Sequence, residues 1–263
     1  MKPFGTNFPS PLAKVEFYNV ASKAIDAGQN LAQLLVAVNE KHHDRPAFTN
    51  LDCTISFADV NKLSDDLAAY LRNGLGLGKG DRVAIMLPNL LQYPIAILGV
   101  LRADLIAVLI NPMYTARELK HQLADSGASV LIVLDNFGAV AEAGLADTSA
   151  QHVIVTRVGD MLPWPKSLLV NTVLKHVKKM IPKFSIANAI AWPKALQQGK
   201  SLPRVPMQAK ATDTAQLQYT GGTTGVSKGA VLAHAAIMAN VAAIEQWSGD
   251  SIDPKNDVSL ICL

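Results

Sequence analysis

Cysteine is almost absent from this 263-residue chain, which has only Cys53 and Cys262. Two thiols cannot complete a metal site by themselves. They predict no disulfide framework and read as the reduced cysteines of a cytoplasmic protein. A long apolar run is also missing. The most apolar stretch, Ile95 to Ile110, is broken by Arg102 and Asp104, whereas a bilayer span needs about 20 mostly apolar residues. A transmembrane helix is therefore not expected, and Met1 to Pro9 carries no apolar core of signal-peptide type. The net charge of +3 is too small to point to nucleic acid. Acidic residues are missing altogether from 161–210, so all 21 lie elsewhere. That segment instead holds Lys166, Lys175, Lys178, Lys179, Lys183, Lys194, Lys200, Arg204 and Lys210.

What is present suits a folded α/β protein: 49% hydrophobic and 17% charged residues, in a chain long enough for one large domain or two smaller ones. Residues 1–29 read as irregular, with Pro3, Pro9 and Pro11 limiting helix. Asn30 can cap a helix bearing Leu31, Leu34, Leu35 and Val38, and Pro46 lies beyond its end. Ser56 and Asp59 have capping-box spacing, and Phe57, Val60, Leu63, Leu67 and Leu71 follow on one helical face. Strands are expected at Arg82–Leu87, Leu105–Ile110, Ser129–Leu134 and His152–Val155. Helices are expected at Leu90–Arg102 and after Thr115, where Glu118 supplies a second box. Continuous apolar strands separated by helices predict α/β architecture, a parallel sheet covered by helices on both faces.

The basic segment breaks this rhythm. Leu168, Leu169, Val173, Leu174, Val177 and Ile181 can share one side of a helix, with Lys175, Lys178 and Lys179 projecting elsewhere and Trp164 and Trp192 bracketing it. Two readings stand side by side: a helix lying on an anionic membrane surface, or a surface helix with its lysines in water.

Residues 219–230 concentrate unusual chemistry. Tyr219, Thr220, Gly221, Gly222, Thr223, Thr224, Gly225, Val226, Ser227, Lys228, Gly229 and Ala230 lie between an alternating strand (Leu217, Tyr219) and a second strand, Gly229–Leu232; the helix Ala235–Trp247 follows. Glycines can turn successive N–H groups into one hollow that suits an anion, and hydroxyls and an ammonium add donors. A polyphosphate matches that set, but so does a turn that needs glycine for its backbone alone. The spacing of a Walker loop is absent, and the loop joins two strands rather than entering a helix.

The string Tyr219-Thr220-Gly221-Gly222-Thr223-Thr224-Gly225-Val226-Ser227-Lys228-Gly229 resembles the phosphate-binding signature of adenylate-forming enzymes, the acyl-CoA synthetase and luciferase-like superfamily. Its opening looks most like that of bacterial long-chain fatty acid–CoA ligases. Ile55–Val60, Gly80–Asn89, Asn111-Pro112, Tyr114-Thr115, Glu118-Leu119 and Asp125–Ala128 recur in the same order. The resemblance implies the layered fold of that superfamily's large N-terminal domain, here over 30–263. It also implies ATP-dependent conversion of a long-chain fatty acid, through an acyl-adenylate, to its coenzyme A thioester. Residues 219–230 would then hold the phosphates of ATP, and Thr224 would meet Mg²⁺. The catalytic residues are unassigned. The family's Tyr-Gly-x-Thr-Glu motif, Thr-Gly-Asp segment, hinge and C-terminal domain are not within the 263 residues. The expectation is of a partial AMP-binding domain, inactive alone, cytoplasmic or peripheral on the inner face of the membrane. A non-catalytic remnant that binds nucleotide or membrane and a ligase for another acid are the alternatives.

Three single residues carry expectations of their own. Asp104 stands where the family usually has glycine, which predicts strain or local exposure and a melting temperature raised by Asp104→Gly. His234 reads as structural, and Trp247 as core.

Overall fold

The computed structural model describes residues 28–220, 227–248 and Ser259. The expected irregular segment 1–29 falls outside this range except for its last two residues. The loop centre 221–226 and residues 249–263 (Ser259 excepted), with Cys262, also lie outside it.

Helix α1 (Leu31–Lys41) begins as expected at Asn30, whose side chain accepts from the Gln33 amide while Gln33 Oε1 accepts from the Asn30 amide. Strands β1 (Pro46–Asn50) and β2 (Cys53–Ser56) then form a small antiparallel hairpin. Helix α2 (Phe57–Ala69) opens on the Ser56–Asp59 box and runs into a wider π-type turn, Tyr70–Gly74. The alternation follows: β3 (Arg82–Met86), α3 (Gln92–Arg102), β4 (Ile106–Leu109), α4 (Ala116–Ser126), β5 (Val130–Leu134), α5 (Gly138–Gly144) and β6 (His152–Thr156). The basic region contributes α6 (Lys166–Thr172), β7 (Ile190–Ala191) and α7 (Trp192–Lys200). Strands β8 (Thr214–Thr220) and β9 (Lys228–Ala233) and helix α8 (His234–Ser248) complete the described elements.

Seven strands form one sheet in the order β7-β6-β5-β3-β4-β8-β9. Every neighbouring pair is parallel except β8 with β9. Both faces are covered, and the pleat decides which side chain meets which layer. Val83, Ile85, Val130 and Ile132 pack with Leu67, Leu71, Ile95 and Leu101 on one face. Ala84, Met86, Leu131 and Val133 pack with Leu119, Leu123 and Ala141 on the other. Each large aliphatic side chain so buried contributes about 1.5–3 kcal/mol, which makes these central strands the energetic keel of the domain. The parallel, doubly covered α/β sheet is the architecture expected from the sequence.

The basic segment departs from its reading as one apolar-sided helix. Helix α6 gives way at Val173–Val177 to a π-type turn, and Ile181 lies beyond the helical residues. Val173 and Leu174 are half-buried, but Leu168, Leu169, Val177 and Met180 are exposed. The two tryptophans part company: Trp164 is 83% exposed and Trp192 fully buried. Arg204 is tied to the acids of α2, Asp65 at 3.2 Å and Asp66 at 2.8 Å. Trp247 corrects another expectation, because it is 77% exposed rather than core. The apolar side of α8 that faces the sheet carries Met238. Val241, Ile244 and Trp247 of the same helix are exposed among the described residues.

Asp104 has φ +55°, a left-handed angle that costs a non-glycine residue on the order of 1–2 kcal/mol. The expected strain is therefore present, but the expected exposure is not: Asp104 is only 6% exposed. Its carboxylate accepts from the amides of Gln208 (2.8 and 3.0 Å) and Ala209 (2.9 Å), fastening the approach to β8. Hydrogen bonds to a charged acceptor are worth about 1.5–3 kcal/mol each, and deleting the acceptor strands donors. The two donors outweigh the relieved strain. Asp104→Gly should accordingly lower the melting temperature, opposite to the reading from sequence, with Asp104→Asn falling between. A glycine variant that melts at or above the parent in calorimetry would show that the strain dominates.

Candidate functional site

The turn between β8 and β9 begins beyond a ladder whose last pairs are Tyr219 with Gly229 and Thr220 with Lys228. The glycine-rich string therefore joins two antiparallel strands, as its alternation implied. Strand β8 also pairs in parallel with β4, so Thr220 emerges at the carboxyl edge of the parallel sheet. In open α/β sheets ligands bind at that edge.

Each described residue of the string has a definite place. The Tyr219 ring is buried at 6% exposure, and its hydroxyl donates to Asp125 Oδ2 at 2.6 Å. Burial first, then the bond to Asp125, pushes the phenol well above its ordinary pKa, so it stays a neutral donor. A Cβ on Gly229 would lie 3.1 Å from Tyr219 Cζ. That glycine is thus the floor on which the ring rests. Ser227 Oγ donates to the Thr220 carbonyl at 3.1 Å, closing the neck of the turn. Ala230 sits in β9 opposite Gln218. Lys228 is exposed, and no ion pair holds its ammonium among the described residues. Gly221, Gly222, Thr223, Thr224, Gly225 and Val226 lie outside the described residues.

Two residues that sequence reasoning left without a role meet this turn. His121 Nε2 lies 3.1 Å from the Ser227 carbonyl, and Asp125 receives Tyr219. Both belong to α4, which is capped by Thr115 and Glu118 at its start and by Gly127 in the left-handed region at its end. Their spacing of four residues on a well-signalled helix could have paired them with each other, but not with a partner far along the chain.

Other features compete less well. A cleft of about 500 Å³ is lined by Lys79, Asp104, Ile106, Asp213, Thr214 and His234. Ile106 and Thr214 begin their strands, so it opens at the amino edge of the sheet. His234 there is 1% exposed, accepts from the Leu31 amide at 3.3 Å, and is pushed below its ordinary pKa by burial. This is the structural histidine expected. A second cleft, about 530 Å³, lies between the end of α2 and α7 at Tyr70 and Gln197. Asp135, at the end of β5, is buried with Oδ1 unpartnered, and desolvation raises its pKa to about 6 against the pull of Arg157. Among the described residues no group of three or more His, Cys, Asp or Glu could hold a metal ion.

A model of the AMP-binding enzyme family matches residues 35–263. The chain belongs to the AMP-binding enzyme family. It is 45% identical over 238 residues to a long-chain-fatty-acid–CoA ligase of Salmonella typhimurium, covering 90% of itself and 42% of that protein. It is 50% identical over 205 residues to the ligase of the same name from Haemophilus influenzae, covering 78% of itself and 36% of the relative. It thus spans about two-fifths of the length of these relatives. Among solved structures, a long-chain-fatty-acid-CoA ligase from Archaeoglobus fulgidus superposes with a TM-score of 0.62 at 26% identity, over 82% of this chain and 39% of that one. The AMP complex of a carboxylic acid reductase didomain from Segniliparus rugosus gives 0.65 at 20% identity, over 89% and 35%, a likeness of fold alone. The family matches the resemblance read from the Tyr219–Gly229 string.

Proposed function

We propose that this chain supplies the ATP-holding part of a long-chain fatty acid–CoA ligase. The observation that carries the reading is the exposed Lys228, in no ion pair among the described residues, at the root of a glycine- and threonine-rich string at the carboxyl edge of a parallel sheet. The names of the relatives above support the acid and the thiol.

In the reaction so assigned, a carboxylate oxygen attacks the α-phosphorus of ATP, the bond to pyrophosphate breaks, and an acyl-adenylate forms. The thiol of coenzyme A then attacks the acyl carbon, and AMP leaves. The first step brings two anions together, and fixed cationic and dipolar groups offset that repulsion. The donor set suits this task. Residues 219–230 offer hydroxyl and backbone donors to the triphosphate, Lys228 contributes charge, and the neck bonds of Tyr219 and Ser227 keep the strands in register. Thr224 would meet the Mg²⁺ that accompanies the nucleotide, an ion that would supply neutralisation of phosphate charge. Removing the Lys228 ammonium should weaken Mg-ATP binding about 10- to 100-fold by titration calorimetry and leave AMP binding little changed. Equal ATP affinity in Lys228→Ala would contradict the assignment.

A specific surface favours a membrane-delivered acid over a water-soluble one. Trp164, Leu168, Leu169, Val177 and Met180 are exposed beside Lys175, Lys178 and Lys179, in a segment without acidic residues. Apolar insertion flanked by lysines is how interfacial segments hold anionic lipid. The contact proposed is peripheral, on the cytoplasmic face; no helix among the described residues is long and apolar enough to cross a membrane. Each lysine near such a surface is worth about 1 kcal/mol. Lys175, Lys178 and Lys179 changed together to Glu should therefore cut sedimentation with anionic vesicles about a hundredfold or more, and high salt should do much the same to the parent. Unchanged partitioning would remove the electrostatic argument.

A further inference from the structure

We infer that His121 and Asp125 are positioning residues: α4 grips both arms of the β8–β9 turn and so sets the direction from which Lys228 meets its anion. The inference rests on the phosphate-binding reading above but concerns residues that the reading does not use.

Three bonds make the grip. On the incoming arm, Tyr219 donates to Asp125 Oδ2 at 2.6 Å. On the outgoing arm, His121 Nε2 meets the Ser227 carbonyl at 3.1 Å. Ser227 Oγ then joins the two arms at the Thr220 carbonyl, 3.1 Å away. A carbonyl only accepts, so Nε2 of His121 carries the proton in this contact. Residues four apart on a helix share a face about one turn apart, which lets one element reach both strands.

The helix can act as a fixed post. It is capped at both ends, and Leu119 and Leu123 are fully buried against the sheet. The Ser227 carbonyl and the Lys228 amide belong to one planar trans peptide and point in opposite directions. Drawing the carbonyl toward α4 therefore turns the Lys228 amide away from α4 and fixes the Cα from which its side chain springs. Without His121 that peptide plane loses its tie to α4 and is held only by the ladder end and the Ser227 hydroxyl, while the Tyr219–Asp125 bond still holds the incoming strand. A looser plane widens the range of positions open to the ammonium, at an entropic cost on binding.

The test compares His121→Leu, His121→Gln and the parent, using Mg-ATP, AMP and amide hydrogen exchange over residues 216–232. His121→Leu should exchange faster in this segment and bind ATP about fivefold more weakly, the scale of one neutral hydrogen bond. AMP affinity and melting temperature should hold. His121→Gln, whose amide can donate to the same carbonyl, should restore both exchange and ATP affinity. Parental exchange and ATP binding in His121→Leu would overturn the grip. So would equal losses for ATP and AMP that Gln fails to rescue, since these mark general damage. If the parent itself binds no ATP, the phosphate reading fails separately, and faster exchange in His121→Leu with rescue by Gln still decides whether α4 holds the turn.

Discussion

The Tyr219 ring lying on Gly229 is the contact on which the described site depends. It favours the register of the one antiparallel pair among the described strands of the sheet. A one-residue slip would send every side chain of β9 to the opposite face, carrying Lys228 with it. Because the ring is buried, its hydroxyl needs a partner, and Asp125 supplies one. The hairpin is thus coupled to α4, and α4 to the central strands through Leu119 and Leu123. The chain of contact from core to turn is short: sheet, helix, hydrogen bond, strand.

This arrangement divides labour between a rigid frame and a polar edge. Val83 to Met86 and Val130 to Leu134 hold the frame by apolar burial on two faces. Polar groups collect at the carboxyl ends of the strands, where backbone donors and side chains meet without crowding the core. Asp104 performs a related task at the opposite edge, accepting a left-handed backbone in order to fasten the entry to β8. Its buried carboxylate is satisfied by amides rather than by a cation, an economy open to a loop that passes close by.

Much of the frame was legible in the residues. The Asn30, Ser56 and Thr115 caps each named a helix start, since side chains that satisfy free amides recur at fixed spacing. Apolar runs named the parallel strands because both of their faces are covered. The β1–β2 hairpin was not legible: it is short and half-exposed, and Pro46 read only as the end of α1. Trp247 misled because it ends an apolar helix, and apolar composition does not say which side is covered: α8 buries Met238 but leaves Val241, Ile244 and Trp247 exposed. The glycine string stood out by its composition, yet its contacts with His121 and Asp125 were hidden. Their partners lie 106 and 94 residues away, and no local period reports such a distance.

The central claim is that the Lys228 ammonium faces the tail of a nucleoside triphosphate. The most direct test is its reactivity toward an amine-selective acylating reagent, read by mass spectrometry with Mg-ATP, AMP or no nucleotide. The account predicts that ATP shields Lys228 strongly and AMP hardly at all, while exposed Lys178 reacts alike in all three. Equal labelling of Lys228 with and without ATP, or equal shielding by AMP, would contradict it.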